Sequence, residues 1–192
     1  MTHPDQHRWD PKHRRRLDES VQPEPHSWIQ SELSGEWTRI IDCASGISPM
    51  VPVLRERRDR LSSPCHYLPV DISPVALKFT RKQLNDLPVF VHPVQVDLME
   101  HYCFREVRGL YVVTFFYSPE LLATISKQAK AGSKVVSETY CTDPDSGDTP
   151  INPDYCLEPG ELRSYFLDWK IIKYVERSSE HPETARIIAR RP

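Results

Sequence analysis

Residues 39–46 read Arg-Ile-Ile-Asp-Cys-Ala-Ser-Gly, and Val70-Asp71-Ile72-Ser73-Pro74 follows about one strand–helix unit later. An apolar run enters an acid and a tight glycine turn. A helix-like stretch follows, and a second apolar run stops at another acid. This order opens a nucleotide-binding α/β sheet. Small residues in the first turn let backbone N–H groups reach a ligand, and an acid ending the second strand can accept two hydrogen bonds from a ribose diol. The candidate pocket therefore lies at the carboxyl ends of the strands.

Working outward, the apolar runs predict strands over 38–43, 65–70, 89–96, 110–116 and 134–139, each ending in a turn or a polar residue. Helices are expected over 49–60, 74–84, 119–130 and 159–166. Ser73 supplies an N-cap and Pro74 the first helical position, where a missing N–H costs nothing. A short helix is expected at 28–33, a long loop at 141–156, and two closing strands at 168–176 and 185–189. Strands alternating with helices build a parallel sheet, and the last two strands read as a hairpin. Residues 1–26 are polar and proline-rich and read as an N-terminal arm on a single domain over 27–192. The arm is either solvated or a short helix near 9–17 that folds over the pocket. Trp9, a large apolar residue in a polar segment, points to docking.

The chain has 192 residues and a formal net charge of −2, so no electrostatic argument favours nucleic acid as a partner. No stretch approaches the roughly 20 apolar residues of a membrane span, and no apolar segment follows the charged N-terminus, so a cytoplasmic protein is expected. Five scattered cysteines read as reduced thiols. None stands at C-x-x-C spacing, and no metal site is expected. The dinucleotide fingerprint needs three glycines, but only Gly46 is present, which argues for a nucleoside without a pyrophosphate.

Four strand ends carry the candidate residues. Asp42, Ala44, Ser45 and Gly46 form the first turn, and Asp71 ends the second strand beside Ile72. Asp97 ends the third beside Leu98, where a carboxylate suits an adenine amino group or simply caps a helix. Thr114 and Phe115 end the fourth, as a pocket wall or as core. Glu138 and Tyr140 follow the fifth strand, where a substrate would lie; the plainer reading is support for the arm or the lid.

Ile-Ile-Asp-Cys-Ala-Ser-Gly at 40–46, Pro-Val-Asp-Ile-Ser-Pro-Val-Ala-Leu at 69–77, Gln-Val-Asp-Leu at 95–98 and Leu-Glu-Pro-Gly-Glu-Leu at 157–162 stand in a telling order. Together with Arg8-Trp9-Asp10, Glu138-Thr139 and the terminal Ala-Arg-Arg-Pro, they resemble class I S-adenosylmethionine-dependent methyltransferases, with the nearest likeness to small tellurite-resistance-type (thiol or chalcogen) methyltransferases. The resemblance implies a three-layer Rossmann-like sheet of seven strands, mostly parallel, with an antiparallel C-terminal strand. It implies S-adenosylmethionine as cofactor, held by the strand-end residues named above together with Ser48, and a small-molecule methyl acceptor. Trp9, Glu138 and Tyr140 are weaker candidates for the substrate side. Ser48 stands where a second glycine is usual, beside the methionine moiety, and the arm motif reads Trp9-Asp10-Pro11-Lys12-His13 in place of Trp-Asp-x-Arg-Tyr. The alternative is a catalytically inactive relative that serves as a binding or regulatory protein. The sulfonium is already activated, so methyl transfer needs alignment and exclusion of water more than a protein nucleophile, and no catalytic residue is assigned. The acceptor and the oligomeric state stay open.

Overall fold

Ile40, Ile41, Asp42 and Cys43 are all buried, so the strand they form is covered on both faces, as a parallel strand between two layers should be. In the computed structural model residues 4–19, 37–56, 65–101, 106–142, 152–178 and 183–192 are described. They fall into two compact units, residues 1–101 and 102–192. The helix expected at 28–33 and the middle of the long loop, 143–151, lie outside the described residues, as does the end of the first sheet helix, 57–60.

The first unit begins with helix α1 (Pro4–Asp18), followed by β1 (Arg39–Cys43), α2 (Met50–Glu56), β2 (Cys65–Asp71), α3 (Pro74–Gln83), β3 (Val89–Val91) and β4 (Val94–Gln95). β1 runs parallel to β2, pairing Ile41 with Leu68 and Asp42 with Pro69. α3 starts as its sequence requires: the Ser73 hydroxyl accepts from Ala76 N–H at 3.3 Å, and Pro74 takes the first helical position. Its buried face is Ala76, Leu77 and Thr80.

The third expected strand is not continuous. It divides into β3 and β4, both parallel to β2, with His92 and Pro93 between them. His92 N–H still donates to Tyr67 O at 2.8 Å, but Pro93 has no N–H to give and breaks the ladder.

The second unit holds β5 (Leu110–Thr114), α4 (Pro119–Gln128), β6 (Lys134–Tyr140), a 3₁₀ turn (Pro153–Tyr155), α5 (Glu161–Ser164), β7 (Lys170–Glu176) and β8 (Thr184–Arg190). β5 pairs parallel with β6, β8 antiparallel with β6, and β7 antiparallel with β8. The expected closing hairpin is thus present, and β8 is the strand that runs against β6 and β7. Ser118 and Pro119 start α4 as Ser73 and Pro74 start α3, with Leu121 N–H donating to the Ser118 hydroxyl at 3.2 Å. Leu121, Leu122 and Ile125 form its buried face. α5 is shorter than the 159–166 expected, because Gly160 sits in the left-handed region (φ 78°) and delays the helix to Glu161. Within the two units four strand pairings are parallel and two antiparallel.

Candidate functional site

In the first unit the chain leaves β1 through Ala44 (φ 52°) and Gly46 (φ 51°), two left-handed residues that turn it back toward β2. Ser45 N–H reaches Val70 O at 3.0 Å, and Gly46 N–H reaches Asp71 Oδ2 at 2.7 Å. The other oxygen of Asp71 accepts from Ser73 N–H at 2.8 Å. Asp71 therefore ties the turn after β1 to the turn after β2 through backbone N–H groups alone. It is only 7 % exposed. Burial raises its pKa, and the two N–H bonds oppose that rise. Each carboxylate oxygen keeps a lone pair for one further donor.

Asp42 is fully buried and holds a different kind of network. Its Oδ2 accepts from Ser48 Oγ at 2.5 Å and from Tyr67 OH at 2.6 Å, while its Oδ1 has no partner among the described residues. Burial pushes its pKa up to about 6 against the pull of those two hydroxyls. The Ser48 hydroxyl also accepts from Met50 N–H at 2.9 Å, so it caps the start of α2. Ser48 does not take a positive φ, and the left-handed residues are Ala44 and Gly46. A serine in the glycine's place is accommodated because its hydroxyl turns inward, to Asp42 and the helix start. Tyr67 is invisible to local sequence reading, since it meets Asp42 only through the pairing of β1 with β2.

The arm is a helix, longer than the 9–17 segment expected, with Pro11 inside it. Its one buried residue is His13, while Trp9 stays 40 % exposed under Lys12 Nζ, 4.4 Å above its ring. Docking thus runs through His13 and Asp10. A Cβ on Gly46 would lie 3.3 Å from His13 Cε1, so the imidazole rests on the bare face of that glycine. Asp10 Oδ1 accepts from the Ser73 hydroxyl at 2.5 Å. Burial lowers the pKa of His13, and the nearby Asp71 carboxylate pulls it the other way. Asp10 and His13 stand in the arm motif of the sequence resemblance, but polar residues in a polar arm carry no local signal of the partners they find.

Ile72 is half-buried beside Asp71, and Gln95 Nε2 donates to its carbonyl at 3.3 Å. Asp97 accepts from Met99 N–H at 2.7 Å, a turn-forming bond, and Leu98 is buried. In the second unit Thr114, Phe115, Glu138 and Tyr140 come together at the ends of β5 and β6. Phe115 is left-handed (φ 52°), 44 % exposed, and its N–H donates to Glu138 O at 2.7 Å. Its ring lies 5.2 Å from that of Tyr140, tilted by 46°. Glu138 is buried and its carboxylate is engaged by Arg186 Nε at 2.6 Å. Among the described residues no group of three or more His, Cys, Asp or Glu side chains could hold a metal ion, and no helix is long and apolar enough to cross a membrane.

No protein-family model matches the chain, and no curated protein matches its sequence. Solved structures do match. TehB from Haemophilus influenzae superposes with a TM-score of 0.68 at 14 % identity, over 86 % of this chain and 61 % of that one, so the chain spans less than two thirds of its length. A geranyl diphosphate C-methyltransferase from Streptomyces coelicolor A3(2), in complex with Mg²⁺, geranyl diphosphate and S-adenosyl-L-homocysteine, superposes at 0.61 and 17 % identity, over 99 % and 86 %. The cyclase SpnF superposes at 0.64 and 13 % identity, over 85 % and 78 %. Likeness at these identities carries the fold: the chain has the α/β, Rossmann-like fold of S-adenosylmethionine-dependent methyltransferases, mostly parallel with an antiparallel C-terminal strand.

Proposed function

We propose that the chain binds S-adenosylmethionine on the first-unit turn and transfers its methyl group to a small acceptor in the cytoplasm. The observation that carries this reading is Asp71. A carboxylate at the end of β2, already fixed by Gly46 and Ser73 N–H groups, offers one remaining lone pair per oxygen. That pair of acceptors fits a vicinal diol. Gly46 and Ile72 stand on the two turns that Asp71 joins, and Asp42 with Ser48 braces the far side of the first. When bound, the cofactor supplies a methyl group already activated on a sulfonium. The chain's part is to bind, orient and exclude water.

The acceptor reading is a thiol, chalcogen or similar soft nucleophile. Its support is the sequence resemblance. A second reading, a non-catalytic relative, is favoured by Ser48, which replaces a glycine and serves as a helix cap.

Calorimetry and thermal melting with S-adenosylhomocysteine separate the two. Binding at about 100 times Kd should stabilise the protein by about 2.7 kcal/mol. No heat and no shift at millimolar ligand would leave only the non-catalytic reading.

A further inference from the structure

His13 stands over the part of the first turn that a ligand held by Asp71 would have to touch. Its Cε1 is 3.3 Å, and its Nε2 3.9 Å, from the position a Gly46 Cβ would take. Its ring is only 6 % exposed. The same glycine gives its N–H to Asp71. A flat, two-nitrogen aromatic ring therefore lies against the backbone turn and close enough to the carboxylate for their charges to couple. Asp10, one turn earlier on α1, closes the other side through the Ser73 hydroxyl, at the mouth of α3. Gln6 adds a longer contact to Gln95 at 3.4 Å.

Resting on the cofactor reading above, we propose that α1 is a self-occluding plug: His13 occupies the nucleoside surface of the first turn, Asp10 latches it through Ser73, and the cofactor binds by displacing it. His13 Nδ1 is buried without a hydrogen-bond partner among the described residues. A buried polar atom left unsatisfied costs free energy, so the docked arm holds itself in place less firmly than its burial suggests. A ligand that displaces the ring returns that nitrogen to water. The latch, in contrast, is a short bond to a carboxylate, the kind that holds. Strong latch and uncomfortable plug together make an arm that stays shut alone and yields to a competitor. The apparent affinity for the cofactor is then reduced by the fraction of molecules with the arm closed.

Stopped-flow and calorimetric titration with S-adenosylhomocysteine, on the full chain and on His13→Ala and Asp10→Ala variants shown to fold by circular dichroism, test this. Both variants should bind faster and at least about fivefold more tightly, and the ligand should speed amide exchange across α1 in the unchanged protein. Binding by the variants alone would overturn displacement by the ligand, since the arm of the unchanged chain would then not yield. Unchanged or weaker binding in both variants, or slower exchange in α1 on binding, would overturn the plug while leaving the cofactor reading intact. If neither the full chain nor any variant binds at millimolar ligand, the cofactor reading fails and the plug with it.

Discussion

Two strand ends, one in each unit, solve the same backbone problem with opposite side chains. After β1 the chain turns through Ala44, and after β5 through Phe115, both at φ 52°, a region that costs a non-glycine residue roughly 1–2 kcal/mol. In the first unit the residues around that turn are small, and the ends of β1 and β2 are organised by carboxylates: Asp42 bound by hydroxyls, Asp71 by backbone N–H groups. In the second unit the strained residue is itself a large aromatic, left 44 % exposed, and the local carboxylate is neutralised by Arg186. The contrast teaches a division of labour. One end carries fixed carboxylate acceptors, on which the proposed cofactor site rests, and the other presents a face with little charge.

The largest expected effect tests whether the first end is truly electrostatic. Asp42 has a pKa of about 6 in the folded protein, raised from 3.8. A raised carboxylate pKa means that its contribution to stability is fully present below the unfolded value and is lost as pH rises through about 6. At 1.36 kcal/mol per unit this spans on the order of 3 kcal/mol. Denaturant melts from pH 4 to pH 8 should show the loss in the unchanged protein and a flatter profile in Asp42→Asn. Parallel profiles would mean that Asp42 is not strained by its burial. Next, Asp71→Ala should weaken S-adenosylhomocysteine by roughly 1.5–3 kcal/mol, the range for hydrogen bonds to a charged group. Unchanged calorimetric affinity in a folded variant would remove Asp71 from the site.

The second end should behave in reverse. Phe115→Gly should raise stability by up to about 1 kcal/mol as the left-handed strain is relieved, while lowering turnover of the acceptor. A loss of stability in chemical melts would show that the ring is held by packing and not presented as a surface. The smallest effect belongs to Ser48→Gly. It removes a cap and a hydroxyl from Asp42, and a stability loss of about 0.5–1 kcal/mol is expected from that. Ligand affinity should change by less than about tenfold, or ~1.4 kcal/mol. A larger change would mean that the serine meets the ligand directly.

What could be read from the chain alone divides along local and distant causes. The starts of α3 and α4 were legible because Ser-Pro pairs carry the cap and the first helical residue within two positions. The closing strands were legible from composition, and the β1 and β2 ends from their acids. The break at Pro93 was missed because five of the residues 89–96 are valine or phenylalanine, and one missing donor outweighed that pattern. Tyr67 on Asp42, Arg186 on Glu138 and His13 on Gly46 were out of reach for a different reason. Each contact joins residues 25, 48 and 33 positions apart, and nothing in the immediate sequence of either partner announces the other.

The division of the third strand by Pro93 also bears on how the protein behaves in a crowded solution. β3 and β4 pair with β2 and, among the described residues, with no other strand, and they carry the exposed side chains of Phe90 and Val94. An uninterrupted apolar strand in that position would offer a second molecule a row of open donors and acceptors to extend into a shared sheet. Segments of three and two residues, kept apart by an imino acid, present no row long enough to recruit one. The proline thus acts as a guard against aggregation, at the cost of one rung of the ladder.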